Sequence, residues 1–156
     1  MRKILYGLGV LMLALIVLAG VGIVATIRAV IPLDAQSKAY VDRAVPAIVA
    51  HWNPQLLLAR ATPQLRASVR PEAMVGLFQA FSRLGPMVAY QGATGGANIS
   101  ASFGAGSSVS AAYVAHASFA AGTATIRIAL VKRHGHWKIS GFFVNPVLTA
   151  APLHRL

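Results

Sequence analysis

Residues 109–132, VSAAYVAHASFAAGTATIRIALVK, decide the fold class of this chain. Two runs within this stretch, 109–119 and 123–132, alternate in side-chain character, and Ala121-Gly122 supplies a tight turn between them. Successive side chains of a strand point to opposite faces of a sheet, so the alternation predicts two strands with one buried face each. The short turn predicts that they pair as an antiparallel hairpin.

Neighbouring segments extend this pattern on both sides. His134-Gly135-His136 predicts a further turn, and Trp137–Val144 predicts a further strand that Pro146 ends. Upstream, Met87–Thr94 reads as a strand. The segment Gly92–Ser108 is rich in Gly, Ala and Ser, and it fits either a loop or a strand pair weakened and bent by glycine. The expected product is an antiparallel sheet of about four strands.

Residues 34–53 instead have helical spacing. Asp34 is a candidate N-cap, because a carboxylate accepts backbone hydrogen bonds at the start of a helix. Apolar side chains then recur every three or four residues as far as Trp52, which is the pattern of an amphipathic helix. Pro46 is expected to kink or divide this helix, since proline lacks the N–H that an interior position needs.

Three further segments begin with proline. Asn53-Pro54 joins a capping side chain to proline at the first helical position, and Thr62-Pro63 repeats this pattern and is a candidate start for another turn. Pro71-Glu72 begins the last helix, which Gly85-Pro86 ends. Helices followed by an antiparallel meander define an α+β domain. We therefore predict two or three helices packed on a curved antiparallel sheet of about four strands, behind an N-terminal transmembrane helix.

That transmembrane helix is predicted from residues 4–27, ILYGLGVLMLALIVLAGVGIVATI, which contain no charge, Asn, Gln or Pro. As a helix the segment would extend about 36 Å, enough for a hydrocarbon core of roughly 30 Å. It exceeds the apolar region of a cleavable signal, and no clean A-x-A triplet follows it. We predict a signal anchor at 1–28, a linker at 29–33, a domain at 34–146 and a tail at 147–156, with cleavage as the alternative. The bilayer is thus the first expected partner, through residues 4–27.

Cations that flank a single span set its orientation, and here they nearly balance. Arg2 and Lys3 precede the span, and Arg28, Lys38 and Arg43 follow it. Because short N-terminal tails usually stay inside, we expect a cytoplasmic N-terminus. The domain would then lie on the periplasmic side of a bacterial-type inner membrane, where a protein of the envelope is a second candidate partner. The oligomeric state stays open.

The chain is strongly basic, with a formal net charge of +11, and it has no cysteine. Its cations are scattered along the sequence, and the densest group is Lys132-Arg133-His134 with Lys138. Nucleic-acid-binding domains concentrate such charge on one face and interleave aromatic side chains, so no specific nucleic acid binding is expected. Attraction to anionic headgroups or envelope polyanions, or solubility alone, accounts for the charge.

Three features together resemble a nuclear-transport-factor-2-like (cystatin-like) domain over about Asp34–Pro146. These are a helical half that ends in Leu84-Gly85, a long strand at Tyr113–Phe119 followed by a Gly turn, and the hairpin sequence GHWKISGF at 135–142. The resemblance implies a curved sheet that wraps a helix and leaves a conical cavity. That family includes enzymes, binding modules and assembly domains. One span before such a domain is also similar to the layout of inner-membrane components of type IV secretion systems.

Acidic residues are rare, and Glu72 is the last one in the chain. Enzymes of the resembled family commonly place an Asp or His beside a Tyr inside the cone, and no predicted strand supplies the Asp. Tyr113 and His116 remain, but their three-residue separation puts them on opposite faces of one strand. We therefore predict no catalytic, cofactor-binding or metal-binding residues. A cone-cavity enzyme of unknown reaction is the least favoured alternative.

Two pairs of side chains near the C-terminus have alternative interpretations. His134 and His136 form an H-x-H pair, but adjacent cations disfavour a metal ion and no third ligand is near in the sequence, so a solvated turn is preferred. Phe142 and Phe143 are adjacent, so one ring points away from the core. A second covered face under a helix is favoured over an exposed ring that packs on a partner or on the membrane.

Taken with the anchor, the shortage of carboxylates favours a membrane-anchored, non-catalytic envelope domain that binds a protein partner or an apolar ligand. The alternative is a structural subunit of an envelope or secretion-type membrane complex. Architecture alone supports that alternative, because a shared layout does not establish a shared function.

Overall fold

The computed structural model describes residues 16, 19, 32–102 and 106–149, with the backbone alone at 101, 102, 106 and 107. Apart from two isolated positions, the predicted span at 4–27 lies outside these residues. Among the residues described, no helix combines the length and the apolar character needed to cross a bilayer. The sheet and the helices that cover it lie in one compact unit that begins at Asp34.

Within residues 32–149, the structure describes four α-helices followed by four strands. The helices are α1 (residues 32–49), α2 (Pro54–Arg60), α3 (Pro63–Ser68) and α4 (Pro71–Phe81), and a 3-10 turn follows at Ser82–Leu84. The strands are β1 (Met87–Ser102), β2 (Gly106–Phe119), β3 (Gly122–Arg133) and β4 (His136–Leu148). They form one antiparallel sheet in the order β1-β2-β3-β4. The predicted α+β class is confirmed: helices pack against a four-stranded antiparallel sheet.

Capping side chains and glycine set the helix ends as predicted. The Asn53 side chain accepts a hydrogen bond from the Gln55 N–H at 2.9 Å, at the start of α2. The Thr62 hydroxyl accepts one from the Leu65 N–H at 3.2 Å, so that a separate helix, α3, begins there. Gly85 ends the 3-10 turn with a φ of 78°, a conformation that glycine adopts without strain.

The N-cap predicted at Asp34 and the division of α1 predicted as one possibility at Pro46 are both wrong. Asp34 lies inside the helix rather than at its N-cap, and its carboxylate accepts a hydrogen bond from the Ala97 N–H in β1. Pro46 does not divide the helix, which continues to residue 49, and the Ala50 N–H still bonds to the Pro46 carbonyl at 2.9 Å. Side chains before and after the proline are buried, and tertiary packing of this kind outweighs one missing helical bond.

The Gly-rich segment 92–108 contributes to the first hairpin rather than to a long loop. Pairing of β1 with β2 continues out to Ser102 and Gly106. Gly95 has a φ of 151°, and a Cβ atom there would lie 2.0 Å from the Ala112 carbonyl oxygen, so the two strands approach more closely than another residue allows. The strand-pair interpretation of this segment is therefore the correct one.

The end of β4 also differs from the prediction. The strand continues through Pro146 to Leu148, so two positions of the predicted tail are sheet residues. β4 is an edge strand, in which alternate N–H groups point away from β3, and the Thr149 N–H bonds to the Ala121 carbonyl at 2.9 Å. At position 146 a backbone N–H would point away from β3, so the absence of an N–H in proline removes no hydrogen bond from the sheet.

The core lies between the sheet and the helices. Alternate residues of β2 and β3 face it as predicted, among them Tyr113, Ile126 and Ile128, whereas His116 and Arg127 are exposed on the other face. The turn between β2 and β3 is formed by Ala120-Ala121, one residue earlier than expected.

Aromatic rings close the core where α1 ends. The Trp52 ring packs on Phe119 with 5.3 Å between ring centroids, on Phe81 with 5.1 Å and on Phe78 with 6.1 Å. Trp52 has a positive φ of 45°, a backbone conformation that a bulky residue adopts only when its surroundings hold it there. Burial of its ring among three phenylalanines provides that constraint.

Candidate functional site

Hydrogen bonds join α1 to the sheet along a polar seam, which consists of Asp34, Ser37, Asp42, Tyr90 and Tyr113. The hydroxyls of Ser37 and Tyr113 lie 2.8 Å apart, and the Tyr113 hydroxyl also donates to the Asp34 carbonyl at 3.2 Å. The Tyr90 hydroxyl donates to the Asp42 carboxylate at 2.8 Å. Two of the three carboxylates of the chain are therefore engaged in holding one helix on the sheet.

The contact between Asp42 and Tyr90 shifts the pKa values of these two side chains in opposite directions. Partial burial alone would raise the pKa of Asp42, but hydrogen bonds from Lys38 and Tyr90, together with the charge of Lys38, leave that pKa below its ordinary value. Burial, followed by the hydrogen bond and the charge of Asp42, raises the pKa of Tyr90. An ionised carboxylate beside a neutral phenol is therefore the stable state near neutral pH.

The structure separates the residues that were considered as a catalytic pair. Tyr113 is buried in the seam, whereas His116 is exposed on the opposite face of β2, where its Nδ1 lies 3.3 Å from the Thr125 hydroxyl. These two side chains share no pocket. The prediction that the Tyr113 and His116 side chains point to opposite faces of one strand is confirmed.

His134 and His136 lie at an exposed hairpin turn between β3 and β4. His134 and Gly135 have φ values of 50° and 80°, as in a two-residue type I′ turn. Within the described ranges, no three His, Cys, Asp or Glu side chains are grouped as metal ligands are.

An apolar cavity of about 330 Å³ lies between the short helices and β4. Its lining side chains come from α2, α3, α4 and β4 and the connections between the helices, and all of them are apolar, including Leu57, Leu65, Met74, Leu77 and Phe142. Ligand pockets for small molecules begin at about this volume and are lined mainly by such side chains. We refer to this space as the apolar cavity.

A β-bulge in β4 determines which side chains of that strand reach the apolar cavity. Leu130 pairs with Ile139 and Ala129 pairs with Gly141, so Ser140 is an extra residue in β4. An extra residue reverses the alternation of faces beyond it. Odd-numbered residues of β4 face the helices before the bulge, and even-numbered residues do so after it.

The bulge assigns the two adjacent phenylalanines to different faces. Phe142 pairs with the buried Ile128, and directly opposed side chains share a face, so its ring points toward the helices. Phe143 pairs with Arg127, is 70% exposed and contributes to the rim of the apolar cavity. The favoured prediction of a second covered face is therefore wrong, and the alternative of an exposed ring is correct.

A second cleft, of about 590 Å³, lies between the α2–α3 junction and the β3–β4 hairpin. We call it the basic cleft, after the ionisable side chains that line it: Arg60, Arg66, Arg133, His134, His136 and Lys138. None of the lining residues is acidic. The one ion pair found among the described residues, Lys38–Asp42, belongs to a different part of the domain.

The sequence alone did not predict the basic cleft, because its cations are far apart along the chain. The α2–α3 junction adds a short parallel bridge to the sheet, where Ala61 pairs with Ile139 and the Thr62 N–H bonds to the Ile139 carbonyl at 2.8 Å. This contact places Arg60 and Arg66 beside the hairpin that carries Arg133. A scattered arrangement of cations in sequence thus becomes a cluster in space.

Comparison of the chain with protein-family models, with curated proteins and with solved structures finds no match. The architecture itself is that of an α+β domain with helices on a four-stranded antiparallel sheet. Conclusions about function therefore depend on the geometry of the apolar cavity and of the basic cleft.

Proposed function

We propose that this chain is a membrane-anchored, non-catalytic envelope domain that binds an apolar ligand, the acyl chain of a lipid, in the apolar cavity. The observation that carries the proposal is a space of about 330 Å³ whose lining is apolar throughout. Such a space is poorly hydrated. An acyl chain that enters it removes from water both its own apolar surface and that of the cavity lining.

Two features support a lipid as the source of the ligand. The span predicted at 4–27 would hold the domain beside a bilayer, on the periplasmic side of a bacterial-type inner membrane. Leu77, which lines the cavity, is 52% exposed, and Phe143, at its rim, is 70% exposed with its ring on the other face of the sheet. Large apolar side chains exposed around a groove are typical of binding surfaces for apolar partners.

The arrangement of polar groups supports a non-catalytic role. An enzyme pocket brings a few polar groups together at the reacting atoms. Here the Asp34 and Asp42 carboxylates instead accept hydrogen bonds from β1, and the Tyr113 hydroxyl of β2 donates to the backbone of α1. Helices on a four-stranded antiparallel sheet also support the proposal that the domain is nuclear-transport-factor-2-like, with the apolar cavity as its cone.

A structural subunit of an envelope or secretion-type complex is the second candidate. The exposed ring of Phe143 favours it, because a partner protein could cover that ring with an apolar side chain of its own. In this alternative the cavity accepts a side chain rather than a lipid. Photo-crosslinking from position 143 in membranes would then yield a protein adduct in place of a lipid adduct.

The acyl-chain proposal is tested with full-length protein in detergent micelles, by displacement of a fluorescent fatty acid with lauric acid. Leu77→Asp introduces a charge into the cavity wall at a position that is already half exposed, so the fold should tolerate it. We expect this variant to bind the probe about ten-fold more weakly, equivalent to about 1.4 kcal/mol.

Val75→Asp is the matched control, since Val75 is 43% exposed on the same helix and does not line the cavity. Its affinity for the probe should stay within about two-fold of the wild type. Equal losses in both variants, or no saturable binding by the wild type, would exclude the apolar cavity as a site for acyl chains.

A further inference from the structure

The basic cleft concentrates positive charge that no acidic side chain of its lining neutralises. Four of the ten Lys and Arg residues in the described part of the chain line it: Arg60, Arg66, Arg133 and Lys138. Like charges around one cleft repel one another, and a bound anion replaces that repulsion with attraction.

Two of the arginines are held in place by backbone carbonyls, one in α2 and one at the α2–α3 junction. Arg60 donates from one terminal nitrogen to the Leu56 carbonyl at 3.0 Å, and Arg66 donates from one terminal nitrogen to the Ala61 carbonyl at 3.2 Å. A guanidinium group has five N–H donors, so each retains donors for a ligand. Because these side chains are already positioned, less conformational entropy is lost when an anion binds.

The uncharged groups of the cleft add donors. The Tyr40 side chain lines the cleft near Arg60. Burial raises the pKa of Tyr40, and the positive charge of Arg60 opposes part of that rise. Trp137 also lines the cleft and is only 8% exposed, and its indole N–H has no hydrogen-bond partner among the described residues. The Trp52 indole N–H in the aromatic core is equally unpaired, so the argument for a ligand depends on the cations of the cleft.

We propose that the basic cleft is a binding site for a phosphate-bearing anion, either a phosphomonoester or a diphosphate group. Guanidinium groups match phosphate oxygens through paired N–H donors, and the Lys138 ammonium adds a point charge. The group is carried either by a lipid headgroup or by a soluble molecule. This site is separate from the apolar cavity, because the α2–α3 junction around the fully buried Ala61 forms a wall of both.

Full-length protein in nanodiscs of neutral phosphatidylcholine provides the test, with calorimetric titration of inorganic pyrophosphate and, in a second arm, of dihexanoyl phosphatidic acid. The double variant Arg133→Gln, Lys138→Gln removes two charges from the cleft. Charge-assisted hydrogen bonds to phosphate are strong, so we expect at least about a ten-fold loss of affinity, equivalent to about 1.4 kcal/mol.

The matched control is the double variant Arg83→Gln, Arg127→Gln, which removes the same charge from positions outside the cleft. Its affinity should change by less than about two-fold. Thermal unfolding checks that both variants fold, and Arg66→Gln, at an exposed position, replaces the cleft variant should that one unfold.

Each outcome decides the proposal. Selective loss in the cleft variant supports it, and the arm in which binding occurs identifies the source as a soluble phosphate or a lipid headgroup. Equal loss in both variants, or no binding of either probe, overturns it. A single-stranded oligonucleotide that displaces pyrophosphate and binds both variants equally weakly would also overturn it, since net charge rather than the cleft would then be recognised.

Discussion

The two longest helices of the domain cover the same sheet in different ways. α1 is bonded to β1 and β2 through the polar seam, in which carboxylates and hydroxyls of one element meet partners on the other. α4 instead contributes Met74, Leu77, Phe78 and Phe81 to an apolar cavity that separates part of it from β4. Both helices bury apolar side chains, but α1 is fixed by directional hydrogen bonds as well, whereas the packing of α4 leaves space beside that helix.

This difference explains where the molecule has capacity for ligands. Two of its three carboxylates lie in the seam, and the third, Glu72, is in the first turn of α4. The α2–α3 junction and the β3–β4 hairpin therefore meet with cations on both sides and no acid between them. The same distribution of side chains that holds α1 in place leaves the other side of the domain apolar and basic.

The largest expected effect breaks the packing of α4. Phe78 is buried against Trp52, so Phe78→Ala should reduce the free energy of unfolding by about 3–5 kcal/mol. Guanidinium unfolding of full-length protein in detergent, followed by tryptophan fluorescence, measures it. Phe143→Ala is the control, because that ring is exposed, and it should change stability by less than about 0.5 kcal/mol. Similar values for both would contradict the assignment of α4 to a packed core.

A smaller effect is expected from the seam. Tyr113→Phe removes a buried hydroxyl that lies within bonding distance of Ser37 and of the Asp34 carbonyl, so it should cost about 1–2 kcal/mol in the same unfolding experiment. Gln91→Leu removes an exposed hydrogen bond to Ser118 and should cost less than about 0.5 kcal/mol. If the buried and the exposed bond proved equivalent, the seam would not be what holds α1.

The smallest effect concerns pH. The folded-state pKa of Asp42 lies below the ordinary value of about 3.9, so its contribution to stability is present above that pH and is lost as the pH falls through the folded pKa. The folded-state pKa of Tyr90 lies above the ordinary value of about 10, so its contribution is present below that pH and is lost as the pH rises further.

Asp42→Asn tests both arms of this dependence. We expect the difference in guanidinium midpoint between wild type and variant to be constant from about pH 5 to 9 and to shrink on either side. The alkaline fall should persist in part in the variant, because burial is the larger cause of the Tyr90 shift. A midpoint difference that does not vary with pH would show that the two side chains are not coupled.

Local chemistry predicted the helix starts and the strands that have strong alternation. Asn53, Thr62 and Gly85 act as expected, since a cap or a left-handed turn depends on neighbouring residues only. The alternation of Ile126 and Ile128 with Arg127 was equally informative. In Gly92–Ser108, by contrast, the small side chains show no clear two-residue alternation of apolar and polar positions. Only the pairing of β1 with β2 defines the strands there.

Both candidate sites depend on features that arise between distant segments. The extra residue at Ser140 decides whether Phe142 or Phe143 faces the helices, and nothing local marks a bulge there. The basic cleft needs Ala61 to pair with Ile139, a contact that no spacing rule predicts. The sequence therefore supported the architecture and the non-catalytic hypothesis, and tertiary contacts were needed to locate a cavity and a cleft.

Pro146 has a consequence for how copies of this protein coexist. The outer edge of β4 is bridged by Ala61 at Ile139, but among the described residues no strand pairs with it near Pro146, and an unpaired edge invites another chain to extend the sheet. At position 146 an incoming strand would find no donor to pair with, so the ladder would be interrupted there. If the proposed anchor holds copies of the protein in one bilayer, they would meet frequently, and this single imino acid would discourage them from joining edge to edge into fibres.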